Sequence, residues 1–271
     1  MLSRLFDAAY EVPQVKRFLN KRWYQYLAKA DKDAHMLFMN YGYSDGRAGA
    51  AALALDPADE PRRLCIQLYA RVAGALDLAG KDVLEIGCGR GGGSSFVMRY
   101  LRPRSLTGID IAENAVAFCR AYHHVPGLSF RQGDAEALPL PSGSFDVALN
   151  VESSHCYGSM EQFVAEVARV LRPGGHFLFT DHRPRAGLAR LRGQLVARFD
   201  VVEEERLTPG VLAALDADDE RKLALIRRYA PRFLHKQLGL FAAVRGSPLY
   251  ENFRSGAVEY VRFVLRKASH T

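Results

Sequence analysis

The chain has 271 residues, with 37 Lys and Arg against 30 Asp and Glu, for a formal net charge of +7. Hydrophobic residues make up 48% and charged residues 25%, which excludes disorder over most of the length and fits one large globular domain. No apolar run approaches the roughly 18–20 residues of a spanning helix, so no transmembrane segment is expected. Arg4 and Asp7 interrupt residues 1–10, so they do not read as a signal peptide.

Residues 1–80 read as a mostly helical cap or flap. Trp23, Tyr24, Tyr26, Leu27, Leu37 and Phe38 supply apolar positions at helical spacing, residues 40–46 are an aromatic, turn-rich segment, and a helix is predicted over 61–76 with Pro61 near its start. Residues 81–182 alternate short apolar runs with helical patterns. The strands are predicted at 83–86, 106–110, 128–131, 145–149 and 176–180. That alternation implies βαβ units and a mostly parallel sheet, an α/β architecture whose strand ends share one ligand-binding edge. Further on, a basic loop precedes a strand near 198–204, a helical insert at about 209–240 and a last strand at 260–265. Residues 81–271 thus read as one α/β domain carrying a helical lid at about 205–257. Cys65, Cys88, Cys119 and Cys156 form no CxxC pair and no metal-ligand cluster. Free thiols in a reducing, cytoplasmic compartment are expected, with no metal site.

The chemistry-bearing motif is Glu85-Ile86-Gly87-Cys88-Gly89-Arg90-Gly91-Gly92-Gly93-Ser94, between a strand and a helix. Glycines let the backbone turn tightly and approach a ligand without a Cβ in the way. Gly87-x-Gly89-x-x-Gly92 also fits a dinucleotide fingerprint. Asp110 ends the second strand, where a carboxylate can accept from both ribose hydroxyls. Gly133-Asp134-Ala135 follows the third, where an Asp could accept from an adenine amino group. A nicotinamide enzyme shares the first two features, but does not require an acid two residues before the first glycine or Asp134-Ala135 after strand three.

These residues, with Leu138-Pro139, Ser144-Phe145-Asp146 and Val170-Leu171-Arg172-Pro173-Gly174-Gly175, resemble a class I S-adenosylmethionine-dependent methyltransferase over residues 80–182. The resemblance implies a Rossmann-like class I fold: a mostly parallel seven-stranded sheet with helices on both faces and a helical lid. It implies S-adenosyl-L-methionine as cofactor and S-adenosyl-L-homocysteine as product. Gly87, Gly89 and Gly91 would lie under the methionine and ribose part, Glu85 just before them; Asp110 with Ile111 would hold the ribose, Asp134 and Ala135 the adenine, and Asn150 the methionine end. Gly42-Tyr43, Cys65-Ile66-Gln67-Leu68-Tyr69, residues 150–157 (Asn-Val-Glu-Ser-Ser-His-Cys-Tyr) and Phe263-Val264-Leu265-Arg266-Lys267 are more closely similar to the phthiotriol/phenolphthiotriol dimycocerosate methyltransferase group and related polyketide and macrolide O-methyltransferases. That implies natural-product or lipid biosynthesis, with a hydroxyl on a large, apolar small molecule as acceptor.

Methyl transfer from a sulfonium is an in-line displacement that needs alignment. A hydroxyl nucleophile gains from a base that removes its proton. His155, past strand four, is the candidate base, and Asp181, past strand five, is placed to fix its tautomer. His182 is the rival base, but strand alternation points its side chain away if Asp181 faces the site. His123 and His124 read as solvent-facing or helix-end residues, and Glu152 as an acceptor contact or a structural hydrogen-bond partner. Tyr41 and Tyr43 fit either a flap over the cofactor or core packing, and the resemblance favours the flap for Tyr43. Cys88 and Cys156 flank the site as small apolar groups.

Residues 220–267 hold eleven Lys and Arg against three Asp and Glu. A solvated helix face comes first as an explanation; an acidic, carrier-bound or membrane-bound acceptor comes second. RNA comes third, because Asn150-Val151-Glu152-Ser153 departs from the Asn-Pro-Pro-Tyr pattern of nucleobase methyltransferases, and no nucleic-acid partner is expected. The competing functions are C- or N-methylation of a small molecule, RNA methylation, or cofactor binding without catalysis.

Overall fold

The computed structural model describes residues 36–46, 53–229 and 231–268; the N-terminal helical reading around Trp23 to Leu27 lies outside them. Seven strands form one sheet: β1 (Asp82–Ile86), β2 (Ser105–Asp110), β3 (Leu128–Gln132), β4 (Phe145–Val151), β5 (Leu171–Pro184), β6 (Phe199–Arg206) and β7 (Val258–Lys267). Their order is β3-β2-β1-β4-β5-β7-β6. The pairs from β3 through β5 are parallel, and β7 runs antiparallel to both β5 and β6. The expected mostly parallel seven-stranded sheet is present, with a mixed character at one end. The chain winds outward from β1 through β2 and β3, then returns to lay β4 on β1's other side. That reversal opens a crevice at the carboxyl ends of β1 and β4.

The helices among the described residues are α1 (Arg63–Ala73), α2 (Gly92–Phe96, continued by a wider turn at Val97–Leu101), α3 (Glu113–Tyr122), α4 (Met160–Val170), α5 (Leu188–Val196), α6 (Thr208–Tyr229), α7 (His235–Phe241) and α8 (Pro248–Ser255). Central strands need apolar side chains on both faces, and alternation sorts them into two layers. Val83, Val147, Leu178 and Val264 pack with Ile66, Val72, Leu215 and Phe253 of α1, α6 and α8 on one side. Leu84, Ala148, Phe177 and Leu265 pack with Phe163, Val167, Leu191 and Leu195 of α4 and α5 on the other. Phe177 meets Phe163 and Phe199 at centroid distances of 5.8 and 5.5 Å, and each such buried ring contributes roughly 1.5–3 kcal/mol.

Local signals set the helix ends. Ser159 accepts from Gln162 N to start α4, and Ser247 accepts from Tyr250 N to start α8, with Pro248 as its first residue and the left-handed Gly256 (φ 73°) ending it. The helix predicted over 61–76 is shorter: Pro61 lies in a 3-10 turn (Glu60–Arg62), and α1 runs only to Ala73 because Gly74 follows. Residues 36–46 are not helical. They run along the protein with Tyr43 N donating to Leu64 O and Ser44 N to Gly210 O, both at 2.9 Å. This strap, α1, α6 and α8 therefore share one core with the sheet.

Candidate active site

The crevice at the β1–β4 switch is lined by Gly87, Gly89, Asp110, Ile111, Asp134 and Ala135. β1 delivers the glycine turn, which folds back so that Gly87 N and Cys88 N both donate to Ile109 O (2.8 and 3.0 Å). Gly87 needs its glycine twice over: its φ is 75°, and a Cβ there would stand 2.3 Å from Ser153 Oγ. Asp110 accepts from Gly89 N at 2.9 Å and from Ala112 N at 2.8 Å. Burial pushes its pKa up to about 6, although bonds from Ala112, Gly89 and Ile111 pull the other way. Asp134 accepts from Glu136 N at 3.0 Å, which shapes the turn after β3.

Other sequence-predicted residues stand behind the crevice. Glu85 is fully buried, receives Tyr69 OH at 2.7 Å and the Ser94 hydroxyl, and so ties β1 to α1 and α2. Its pKa is raised by burial, with the Ser94 and Tyr69 bonds opposing. Gly91, at φ 76°, starts α2 rather than facing the crevice, and a Cβ there would meet Phe130 and His123. Asn150 is also fully buried. Its Nδ2, with two hydrogens to donate, lies within hydrogen-bond distance of Ile86 O (2.9 Å), Ser153 Oγ (2.8 Å) and Tyr157 OH (3.1 Å), while its Oδ1 has no hydrogen-bond partner among the described residues.

Tyr43 stands away from the crevice lining: its ring covers Gly210 at the start of α6, where a Cβ would come within 2.2 Å. The flap position is taken instead by Leu37, Phe38, Met39 and Asn40, with Gly92 N donating to Leu37 O at 3.2 Å. His123 is not a solvent residue. A carbonyl can only accept, so its Nε2–H donates to Arg90 O at 2.8 Å and braces the glycine turn; burial lowers its pKa.

At the neighbouring edge, between β4 and β5, the structure brings His155 and Asp181 together. His155 Nδ1 lies 2.9 Å from Asp181 Oδ1, and His155 N donates to Asp181 Oδ2, also at 2.9 Å. Asp181 is fully buried. It also receives Ser154 Oγ at 2.6 Å and His182 N at 2.8 Å, and Arg183 approaches to 3.2 Å. Burial acts to raise its pKa, but the positive charges of His155 and Arg183 win and hold it well below the usual carboxylate range. Burial likewise acts to lower His155, but the pull of Cys156 and Asp181 outweighs it, and the imidazole stays well above the ordinary histidine value.

His182 does point to the opposite face of β5, packing toward Tyr41, Phe253 and Tyr260. It does not leave the site, however. His155 lies beyond the end of β4, where it reaches both faces, and the two imidazoles sit 4.5 Å apart. Burial and the charge of His155 push His182 down to about 3, leaving it a neutral and weak base. Ligand atoms of His155, Asp181 and His182 lie within 4.8 Å of one another. A cation there would compete with the donors already on Asp181 and face the Arg183 guanidinium.

Glu152, next along the chain, adopts φ 51° and lines the crevice. Its carboxylate accepts Tyr41 N at 3.0 Å and Tyr260 OH at 2.8 Å, pinning the strap to β7. Burial pushes its pKa up to about 8.

A sheet of order β3-β2-β1-β4-β5-β7-β6 with β7 antiparallel, a glycine turn preceded by Glu85, an acid closing β2 and Asp134-Ala135 after β3 fit a class I S-adenosylmethionine-dependent methyltransferase. The residues fit that cofactor: Asp110 and Asp134 offer carboxylates on the crevice wall, and Gly87 and Gly89 line it with bare backbone. The family profile described as methyltransferase domain matches residues 84–179. The chain is 38% identical over 248 residues to a fatty-acid O-methyltransferase of Mycolicibacterium smegmatis, covering 91% of this chain and 89% of the relative. It is 37% identical over 246 residues to a phthiotriol/phenolphthiotriol dimycocerosates methyltransferase of Mycobacterium tuberculosis, covering 90% of each. Geranyl diphosphate C-methyltransferase of Streptomyces coelicolor A3(2), solved with Mg2+, geranyl diphosphate and S-adenosyl-L-homocysteine, shares the fold at a TM-score of 0.61 and 18% identity, over 90% of this chain and 98% of that one. The chain belongs to the methyltransferase family of the first two relatives, and its methyl donor is S-adenosylmethionine.

Sequence reading missed the strap residues Leu37 to Asn40 and the supports Ser154 and Arg183. The last two flank the chosen pair in Ser154-His155 and Asp181-His182-Arg183, so adjacency was the available signal. The strap carried none, because its path is set by contacts with α1 and α6.

Proposed function

We propose that the protein methylates an oxygen of a large, apolar lipid- or polyketide-type acceptor, with His155 as general base and Asp181 as its orienting partner. One observation carries this reading: a fully buried carboxylate holds the imidazole through Nδ1, beside crevice residues Glu152, Ser153 and Cys156. The Asp181 bond keeps the proton on Nδ1, which leaves the Nε2 lone pair for the acceptor O–H and stabilises the imidazolium that forms. When bound, S-adenosylmethionine supplies an electrophilic methyl group on sulfur. Asp110 and Asp134 would hold it, with Asn150 bracing the chain behind them through Ile86 O, and the strap from Leu37 to Asn40 would exclude water from it. The names of the relatives, which act on fatty acids and phthiotriols, support a lipid-type acceptor.

A second reading follows from the raised His155 pKa. A carboxylate acceptor needs no base, and an imidazolium would anchor it; the fatty-acid relative supports this alternative. His155→Ala should lower turnover about tenfold or more and leave S-adenosylmethionine affinity within about twofold; near-wild-type turnover sinks both readings. The pH profile separates them. Activity rising with pH through the His155 pKa marks a base acting on a hydroxyl, whereas activity falling across that range marks an imidazolium holding a carboxylate.

A further inference from the structure

The basic C-terminal stretch divides in two once its partners are seen. The acids of α6 (Asp216, Asp218, Asp219 and Glu220) all lie between residues 216 and 220, near its middle, and Asp216 and Asp218 take up Arg245 and Arg221. From Arg221 to Tyr250 the chain has seven Lys and Arg and no Asp or Glu. Arg221 and Arg245 are paired inboard, and Lys222 sits largely buried 4.0 Å from Asp218. Arg227, Arg228, Arg232 and Lys236 remain at the outer end, where α6 turns into α7. Among the described residues, Arg227, Arg232 and Lys236 have no carboxylate partner. In the middle of this turn Phe233 is 76% exposed, the most exposed large hydrophobic residue described, and Leu240 on α7 is 39% exposed.

An aromatic ring this exposed, with Arg232 before it and Lys236 three residues after it, serves no folding purpose, since its exposure forgoes the burial that stabilises a core. We propose that the α6–α7 tip docks on an anionic lipid bilayer, with Phe233 inserting at the headgroup boundary and Arg227, Arg232 and Lys236 meeting lipid phosphates. A two-fold contact with a second copy would set the same cations against one another, which disfavours self-association here. The docking is independent of which atom is methylated. Its placement on the helices inserted between β6 and β7 would bring the lid to a surface from which an apolar acceptor can be drawn.

Flotation of the full chain with phosphatidylcholine vesicles, with and without phosphatidylglycerol, tests this without an activity assay. Wild type should float with phosphatidylglycerol vesicles at low salt, and not with neutral ones. Arg232→Glu/Lys236→Glu should weaken binding roughly tenfold or more, and Phe233→Glu several-fold. Because these side chains are exposed, melting temperature and S-adenosylhomocysteine affinity should stay at wild-type values. Equal recovery with neutral vesicles, or variants that float like wild type, overturns the proposal. So does binding of single-stranded RNA through these residues in place of vesicles.

Discussion

Two neighbouring stretches of the same sheet edge are built from different material. From β3 to β1 the wall is mainly backbone and short carboxylates, supplied by residues close in sequence: the glycine turn, Asp110 and Asp134. From β4 to β7 it is a packed set of ionisable side chains gathered from far apart, with Tyr41 and Tyr260 on Glu152 and with Ser154, His155 and Arg183 on Asp181. The first side can recognise a constant molecule through fixed geometry. The second can hold charge and move a proton.

If the two sides are separate in function, damage to one should spare the other. The largest effect is expected at the ionisable side. Asp181→Asn keeps the shape but removes the charge that holds His155, and turnover should fall by about 10²–10⁴-fold with S-adenosylmethionine affinity nearly unchanged in calorimetry. A matching loss of cofactor affinity would break the distinction. Next comes Glu152, which joins the strap to β7. Its pKa of about 8 lies above the ordinary 4.5, so the fold favours the protonated acid. Stability from this group is complete below the ordinary value and is lost as pH rises through about 8. Glu152→Gln keeps an acceptor for both tyrosine-side donors and should flatten that decline, by up to a few kcal/mol between urea titrations at about pH 5 and about pH 8. A variant as pH-sensitive as wild type would remove Glu152 as the cause. The smallest effect is expected at the backbone side. A Cβ at Gly93 would stand 1.9 Å from the Tyr69 ring, whose hydroxyl supports Glu85. Gly93→Ala should cost about 1–3 kcal/mol and weaken S-adenosylhomocysteine binding, and turnover at saturating cofactor should recover.

The same division explains what could be read from sequence. All seven strands were legible, because central parallel strands demand apolar runs and the turns between them demand glycine. Gly87, Gly89, Asp110 and Asp134 were legible as a crevice set because their spacing follows from two successive βαβ units. Tyr43 was misplaced, since nothing local tells a turn-rich segment that Gly210 will receive its ring. His182 obeyed strand alternation yet stayed in the site, because His155 lies past the strand end where alternation no longer separates faces. The basic excess was real but misjudged in extent: a window opening at residue 220 cut Asp216 and Asp218 away from Arg245 and Arg221.

Strand β7 comes from residues 258–267 but lies inside the sheet, between β5 and β6. During synthesis, β1 to β5 can pair as they emerge, and the glycine turn can form with them. β6 has no place until β7 arrives, and Glu152 lacks Tyr260 until then. A nascent chain would therefore have its glycine turn before the ionisable wall beside it is complete. A protease that trimmed β7 would strip Tyr260 from Glu152, leave β6 without its only strand partner and open both core layers at once.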